Sequence, residues 1–152
     1  IATEDSQLKE LQVKYYTTIA FDAAIGAQTQ KFEIANVIPG TYDLVVKKAG
    51  HLDFVATGLK VDETGLDLTS NEDYSDIKLI NLICGDINAD KKIDDDDLNI
   101  LWSDDNFMKS IDDCVNSLAD LDGDGIINEY DLNILWNDAN FGKKVDDCIV
   151  HF

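Results

Sequence analysis

Residues 86–114 read DINADKKIDDDDLNILWSDDNFMKSIDDC, and residues 120–148 repeat them as DLDGDGIINEYDLNILWNDANFGKKVDDC. More than half of the aligned positions are identical, and the run DLNILW occurs whole in both copies. Agreement over this length indicates two copies of one structural unit. We call them the first repeat and the second repeat.

Each repeat opens with twelve residues that are rich in side-chain oxygens, and an apolar helical stretch follows. Oxygens recur at positions 1, 3, 5, 9 and 12, with a backbone carbonyl at position 7, which is the spacing of a loop that surrounds Ca²⁺. We therefore predict two Ca²⁺ ions, one in loop one (residues 86–97) and one in loop two (residues 120–131). The predicted ligands are Asp86, Asn88, Asp90, Lys92, Asp94 and Asp97 in loop one, and Asp120, Asp122, Asp124, Ile126, Asn128 and Asp131 in loop two.

The alternative interpretation is that aspartate and glycine only mark solvated turns. In loop two the spacing and the glycine at position 6, Gly125, favour a calcium loop. Loop one has Lys91 at that position, where a positive φ is expected, and lysine adopts a positive φ only with strain. Loop one is therefore predicted to be the looser site.

The charge of the chain limits its partners. The 152 residues have a formal net charge of −19, and most of the excess acid lies in residues 84–152. Such acidity argues against nucleic acid or an anionic membrane as partner, and no apolar run reaches the length of a membrane span. We expect a secreted, extracellular protein, and Ile1 as the start of a piece cut from a longer polypeptide.

The three cysteines all belong to the acidic part of the chain, and their spacing fits no zinc motif. Cys84 precedes loop one and Cys148 closes the second repeat, so symmetry between the repeats could bring them together. We predict a possible Cys84–Cys148 disulfide with Cys114 free. The alternative is three thiols that act as small apolar side chains.

The first half of the chain has the alternating pattern of short strands. Apolar residues alternate along residues 13–21, 32–34, 42–46, 52–56 and 59–61, with turn residues between these stretches. This spacing is typical of an antiparallel β-sandwich. His51 has no nucleophile near it in sequence, and we expect no enzyme activity.

A loop followed by its exit helix, present twice and without entering helices, resembles the dockerin family over residues 83–148. Residues 31–47, KFEIANVIPGTYDLVVK, are similar to the carboxypeptidase-regulatory-like, immunoglobulin-type sandwich. Together they resemble the X-module and type II-like dockerin dyad of bacterial cellulosomal scaffoldins. The resemblance implies a two-domain fold, with an antiparallel β-sandwich X-module at 1–82 and an all-α dockerin with two F-hand calcium loop–helix repeats at 83–152.

The same resemblance implies a non-catalytic module that binds a cohesin in a calcium-dependent way. The cohesin would belong to an anchoring or adaptor scaffoldin, so that the complex is held at the cell surface and polysaccharide is reached only indirectly. Family contacts fall on loop positions 10 and 11 and on the outward helix face. The corresponding residues are Asp95, Asp96, Asn99, Trp102, Ser103 and Asn106 in the first repeat, and Glu129, Tyr130, Asn133, Trp136, Asn137 and Asn140 in the second.

We predict exit helices over about residues 95–107 and 129–141, too short to be stable alone, so that metal binding and folding form one transition. Trp102 and Trp136 are interpreted either as the rim of the core or as interface anchors. Two other functions remain open. A calcium buffer or sensor hand would need entering helices, and a carbohydrate-binding sandwich would need a stacking platform such as Tyr15, Tyr16 and Tyr42.

Overall fold

The computed structural model describes residues 13–20 and 26–152. In this part of the chain the strands are β1 (Gly40–Val46), β2 (Phe54–Val61), β3 (Lys109–Ser110), β4 (Ile126–Ile127) and β5 (Ile149–His151), and the α-helices are α1 (Asp95–Leu101) and α2 (Glu129–Leu135). Short 3-10 segments lie at Glu72–Ile77, Ser117–Ala119 and Val145–Cys148.

One sheet joins the two halves of the chain. Strands β1 and β2 form an antiparallel hairpin, and β5 pairs in parallel with the other edge of β2, with Val55 opposite Ile149 and Thr57 opposite His151. The strand order is therefore β1-β2-β5. A second, two-stranded sheet pairs β3 with β4 and so connects the first repeat to the second.

The hairpin follows the predicted alternation, with one irregularity. Tyr42 is opposite Leu59, but Leu44 is opposite Ala56, so the register shifts between these pairs. The extra residue on β2 is accommodated at Gly58, which has a φ of +79°. A bulge of this kind bends the strand and leaves a residue outside the ladder.

The predicted fold class, an antiparallel β-sandwich domain followed by an all-α domain, is wrong. The chain folds as one domain, because β5 from the end of the second half is a strand of the same sheet as β1 and β2. The second half also contributes β3 and β4, so it is not all-α. The residue ranges predicted for the two parts, 1–82 and 83–152, stay a sequence prediction.

Two stretches predicted as strands lack a ladder partner. Residues 13–20 form no strand, residue 21 lies outside the described residues, and residues 32–34 form no strand. Alternation indicates which face of a strand would be buried, but a strand also needs a neighbour for its backbone hydrogen bonds. Tyr15 instead packs edge-on against Tyr42, with ring centroids 5.7 Å apart.

Two apolar clusters form the core, and each takes residues from both halves. The cluster between the repeats contains Ile93, Leu101, Ile127 and Leu135, and Leu52 from the first half completes it. The cluster under the hairpin contains Phe54, Ala56, Leu59, Tyr74 and Ile77, with Val150 from the second half packed against it. This exchange of side chains explains why the halves do not form separate cores.

The predicted Cys84–Cys148 disulfide is not formed, since Cys84, Cys114 and Cys148 are all free. Cys148 is a buried member of the cluster between the repeats, whereas the backbone of Cys84 forms a β-bridge with His51. Packing thus engages the two cysteines in different contacts. The helices of the described residues include none long and apolar enough to cross a membrane.

Candidate metal loops and binding face

Loop two brings three carboxylates to one place. Oxygens of Asp120, Asp122 and Asp124 all lie within 4.8 Å of one another. Each carboxylate also accepts a backbone hydrogen bond from within the loop, such as the one from the amide of Gly125 to Oδ2 of Asp120 at 3.0 Å. Like charges this close repel, so a divalent cation among them would lower the electrostatic energy.

The carboxylate at position 12 connects each loop to its helix. Asp131 is fully buried, and its Oδ1 accepts from the amides of Leu121 and Asp122 at 2.6 and 3.1 Å, while Oδ2 accepts from the amide of Asn128 at 2.8 Å. Asp97 makes the equivalent three bonds in loop one. Both helices therefore begin in a capping box, and its N3 residue, Asp97 or Asp131, is also the last residue of the loop.

Burial raises the pKa of the first and last carboxyls of both loops, which are Asp86, Asp97, Asp120 and Asp131. Backbone N–H donors to the same groups act in the opposite direction but do not cancel the cost of desolvation. An ionised carboxylate in such a position is stabilised by a bound cation.

Loop one is arranged differently. Its cluster of converging carboxylates is Asp90, Asp94 and Asp96, so Asp96, predicted as a partner contact, faces two predicted ligands. The ammonium of Lys92 lies 3.7 Å from Asp90 and 3.4 Å from Asp94. Lys91 has a φ of +73°, which confirms the strained conformation predicted for this position.

The helices start where predicted and end earlier. Asp94 and Asn128 are the N-caps, and Trp102 and Trp136 are the C-caps. The predicted extents of 95–107 and 129–141 are too long because an asparagine closes each helix end. The side-chain amide of Asn106 donates to the carbonyl of Ile100 at 2.8 Å, and Asn140 donates to Ile134 at the same distance.

Most residues of the predicted partner face are exposed. Asn106 is the exception, with 3% of its surface exposed, because its side-chain oxygen accepts from the amides of Val115 and Asn116. It lies in the interior of this fold, and its role as a partner contact stays a prediction. Ser103 and Asn140 are half-buried, and the exposed members are Asp95, Asp96, Asn99, Trp102, Glu129, Tyr130, Asn133, Trp136 and Asn137.

The two tryptophans are rim residues with a free face. Trp102 packs on Phe107 and Trp136 on Phe141, with ring centroids 4.4 and 4.8 Å apart. Each indole nevertheless remains more than half exposed, at 55% and 56%. The two predicted roles, core rim and interface anchor, are therefore compatible.

Sequence reasoning missed two features of the site, the place of Asp96 in the loop one cluster and the structural role of Asn106. The signal for Asn106 is its identity in both repeats at Asn140, since a side chain that closes each helix is needed twice. Asp96 gives no such signal because Tyr130 stands at its counterpart. The place of the Asp96 carboxylate beside Asp90 and Asp94 depends on the folded conformation of loop one.

The geometry bears on the two rival functions. Within the described residues no α-helix leads into either loop, and a 3-10 segment, Ser117–Ala119, precedes loop two. A sensor hand would need an entering helix. Tyr15 and Tyr42 meet at an interplanar angle of 79°, which is an edge contact and not a flat platform for a sugar ring.

Comparison with solved structures places this arrangement among known folds. The fold is similar to that of a chain from type II cohesin–X-dockerin complexes. One such chain comes from the crystal structure of an N-terminal interface mutant of a complex from Acetivibrio cellulolyticus, and another from a C-terminal interface mutant of it. Both are 24% identical to this chain and cover 75% of it and 70% of their own length, with TM-scores of 0.54 and 0.55. No family model and no curated protein matches the sequence.

Proposed function

We propose that this chain is a dockerin-related module that binds two Ca²⁺ ions and then docks onto a cohesin-type partner in a cellulosomal assembly. It acts as a connector without catalysis, outside the cell, and holds its complex to a surface-anchored or adaptor protein. The observation that carries the proposal is that Asp120, Asp122 and Asp124 converge in the loop that leads into α2, a helix with an exposed face.

The residues present fit Ca²⁺. In loop two the three clustered carboxylates, Asn128 and the buried Asp131 supply hard oxygen ligands, with the carbonyl of Ile126 as the backbone ligand. In loop one Asp86, Asn88, Asp90, Asp94 and Asp97 and the carbonyl of Lys92 would do the same. The ion would neutralise carboxylates that burial otherwise makes costly to ionise.

Metal binding would control the binding face through the position 12 acids. Asp97 and Asp131 hold the start of the loop and the N-cap of the helix at once, so a closed loop fixes where its helix begins. Helices of seven residues are not stable in isolation. Calcium thus orders the two surfaces that carry Trp102 and Trp136.

The partner is inferred from the fold and the repeats together. The similar structures are complexes between a cohesin and an X-dockerin. The duplicated loop–helix sequence resembles the dockerin side, so the cohesin side is the expected partner. The exposed tryptophans are suitable anchors, since aromatic residues dominate the binding energy of many interfaces.

Calorimetry with a panel of type II cohesins, in calcium and in EDTA, tests the proposal. We expect at least one cohesin to bind in calcium and none in EDTA. Asp122→Ala should weaken binding, whereas Asp112→Ala, which removes the same charge from an exposed site outside the loops, should not. Equal binding with and without chelator, or retention on insoluble polysaccharide without cohesin binding, would overturn the proposal.

A further inference from the structure

The backbone of each loop pairs with the other repeat. In loop one the amide of Ile93 donates to the carbonyl of Lys143, and the carbonyl of Ile93 accepts from the amide of Gly142, both at 2.8 Å. The carbonyl of Lys91 also accepts from the amide of Val145 at 3.1 Å. Loop one is therefore held by residues 142–145, which follow α2 in the second repeat.

Loop two is held in the same way by the first repeat. The amide of Met108 donates to the carbonyl of Ile127 at 2.7 Å, and the amide of Ile111 donates to the carbonyl of Gly125 at 3.0 Å. Residues 108–111 follow α1, as residues 142–145 follow α2. Each loop thus has a partner segment, residues 142–145 for loop one and residues 108–111 for loop two, whose position depends on the other repeat.

The two loops differ in backbone strain. Ala89 and Lys91 have φ values of +61° and +73°, in the left-handed region that is unfavourable for residues with a Cβ. A third such residue, Met108 at +62°, lies outside the loops. The counterparts of these three residues in the second repeat are all glycines with positive φ, namely Gly123, Gly125 and Gly142.

A cation of the protein itself also opposes metal binding in loop one. The Lys92 ammonium lies within 4 Å of two predicted ligands, Asp90 and Asp94. Loop two has Ile126 at this position. Each loop has four predicted carboxylate ligands and one asparagine, and in loop one the further carboxylate of Asp96 is balanced by the Lys92 ammonium. The charge around the two sites is therefore equal, and backbone strain makes loop one the weaker site.

We propose that the two sites fill in a fixed order, loop two first, and that filling loop two prepares loop one. This inference rests on the proposed calcium binding. When loop two closes, α2 is fixed and residues 142–145 are placed beside loop one. There they form backbone hydrogen bonds with Ile93 and with the strained Lys91. Binding to loop one then no longer includes the free-energy cost of ordering its partner segment.

The order is tested by titrating the full chain with CaCl₂ and following ¹H–¹⁵N spectra. The amides of Lys91 and Gly125 are matched reporters, because each donates to Oδ2 of the first aspartate of its loop, at 3.1 and 3.0 Å. We expect the Gly125 signal to change at lower calcium. In the double variant Ala89→Gly with Lys91→Gly, the amide of residue 91 remains the reporter for loop one. The gap between the calcium concentrations at which the two loops are half-filled should narrow by about tenfold.

Met108→Gly is the matched control for the glycine variants. It relieves the same kind of strain outside the loops, in the segment that holds loop two, and so should leave the gap unchanged or widen it. If Lys91 responds at the same or lower calcium than Gly125, or if Met108→Gly narrows the gap as much as the double variant, the proposed order is wrong.

Coupling is tested with one variant in each loop. Asp122→Ala should weaken calcium binding at loop one by about fivefold or more, because residues 142–145 are no longer positioned beforehand by a filled loop two. Asn88→Ala, at the same position of loop one, should leave loop two at its original affinity, since loop two fills first. Unchanged affinity of loop one in Asp122→Ala would exclude the coupling.

These outcomes separate the inference from the function on which it rests. If neither amide responds to calcium, the proposed metal binding fails and the order has no meaning. If both respond, but together or independently, metal binding stands and the order or the coupling is refuted.

Discussion

The carbonyl oxygen of Phe152 lies 2.6 Å from the position that a Cβ on Gly58 would occupy. Gly58 is at the bulge of β2. The amide of Phe152 donates to the carbonyl of Thr57, the residue before Gly58, at 3.0 Å. The ring of Phe152 meets Tyr74 edge-on at 4.9 Å. The end of the second half therefore lies against β2 at a point where only glycine leaves room.

Replacing Gly58 with alanine should destabilise the fold by about 2–4 kcal/mol, from the left-handed φ and from the contact with a backbone atom that cannot rotate away. Urea unfolding at saturating calcium measures the loss. Gly65→Ala is the matched control, because Gly65 also has a positive φ, +91°, but no atom lies within 4 Å of the added Cβ. Equal losses for the two variants would show that the contact with Phe152 is unimportant.

Asn106→Ala should cost about 1–3 kcal/mol of stability, because the part-buried amide of Asn116 loses its acceptor and the amide of Val115 keeps only the carbonyl of Asp105, at 3.2 Å. Thermal unfolding checks this. Asn140→Ala serves as the control, since its one described side-chain bond is to the carbonyl of Ile134, and a smaller loss is expected. An Asn106→Ala protein of normal stability that no longer binds its partner would instead assign Asn106 to the interface.

Protonation of His51 should make the stability of the calcium-loaded protein fall at acidic pH. Burial lowers the pKa of His51 below its ordinary value of 6.5. The unfolded chain therefore binds a proton more readily, so this contribution to stability is present above pH 6.5 and is lost as the pH falls through the window below it.

Urea midpoints measured between about pH 7.5 and about pH 5.5 test this dependence. His51→Gln removes the titrating group and should lose less stability over the same range. A variant whose pH dependence equals that of the natural chain would show that protonation of His51 is not unfavourable in the fold.

Trp102→Ala and Trp136→Ala should each weaken cohesin binding, by about 2 kcal/mol or more for an anchor residue. The losses should be unequal, because the residues that flank the helices differ, Asp95 and Asp96 in one repeat and Glu129 and Tyr130 in the other. Calorimetry measures both. Met108→Ala, another exposed apolar residue, is the control, and a loss equal to that of the tryptophans would point to a general apolar surface.

Local patterns in the sequence predicted the local parts of the site. The loop spacing predicted where both helices start and the positive φ at Lys91, because each depends on residues within one loop and one helix turn. The helix ends were predicted too late in the chain, because the bonds of Asn106 and Asn140 that close the helices span six residues, beyond the period of a helix turn.

The sequence by itself determined the duplication, the two acidic loops and the start of each helix, since these follow from spacing along the chain. Only the tertiary structure decided that β5 joins β2, that Leu52 completes the cluster between the repeats, and that each loop is held by the opposite repeat. The strand and loop pairings use backbone groups, which every residue except proline presents alike. The apolar side chain of Leu52 finds its cluster only once the chain has folded, so the local pattern specifies neither kind of contact. The separate domains that the pattern suggested became one fold for that reason.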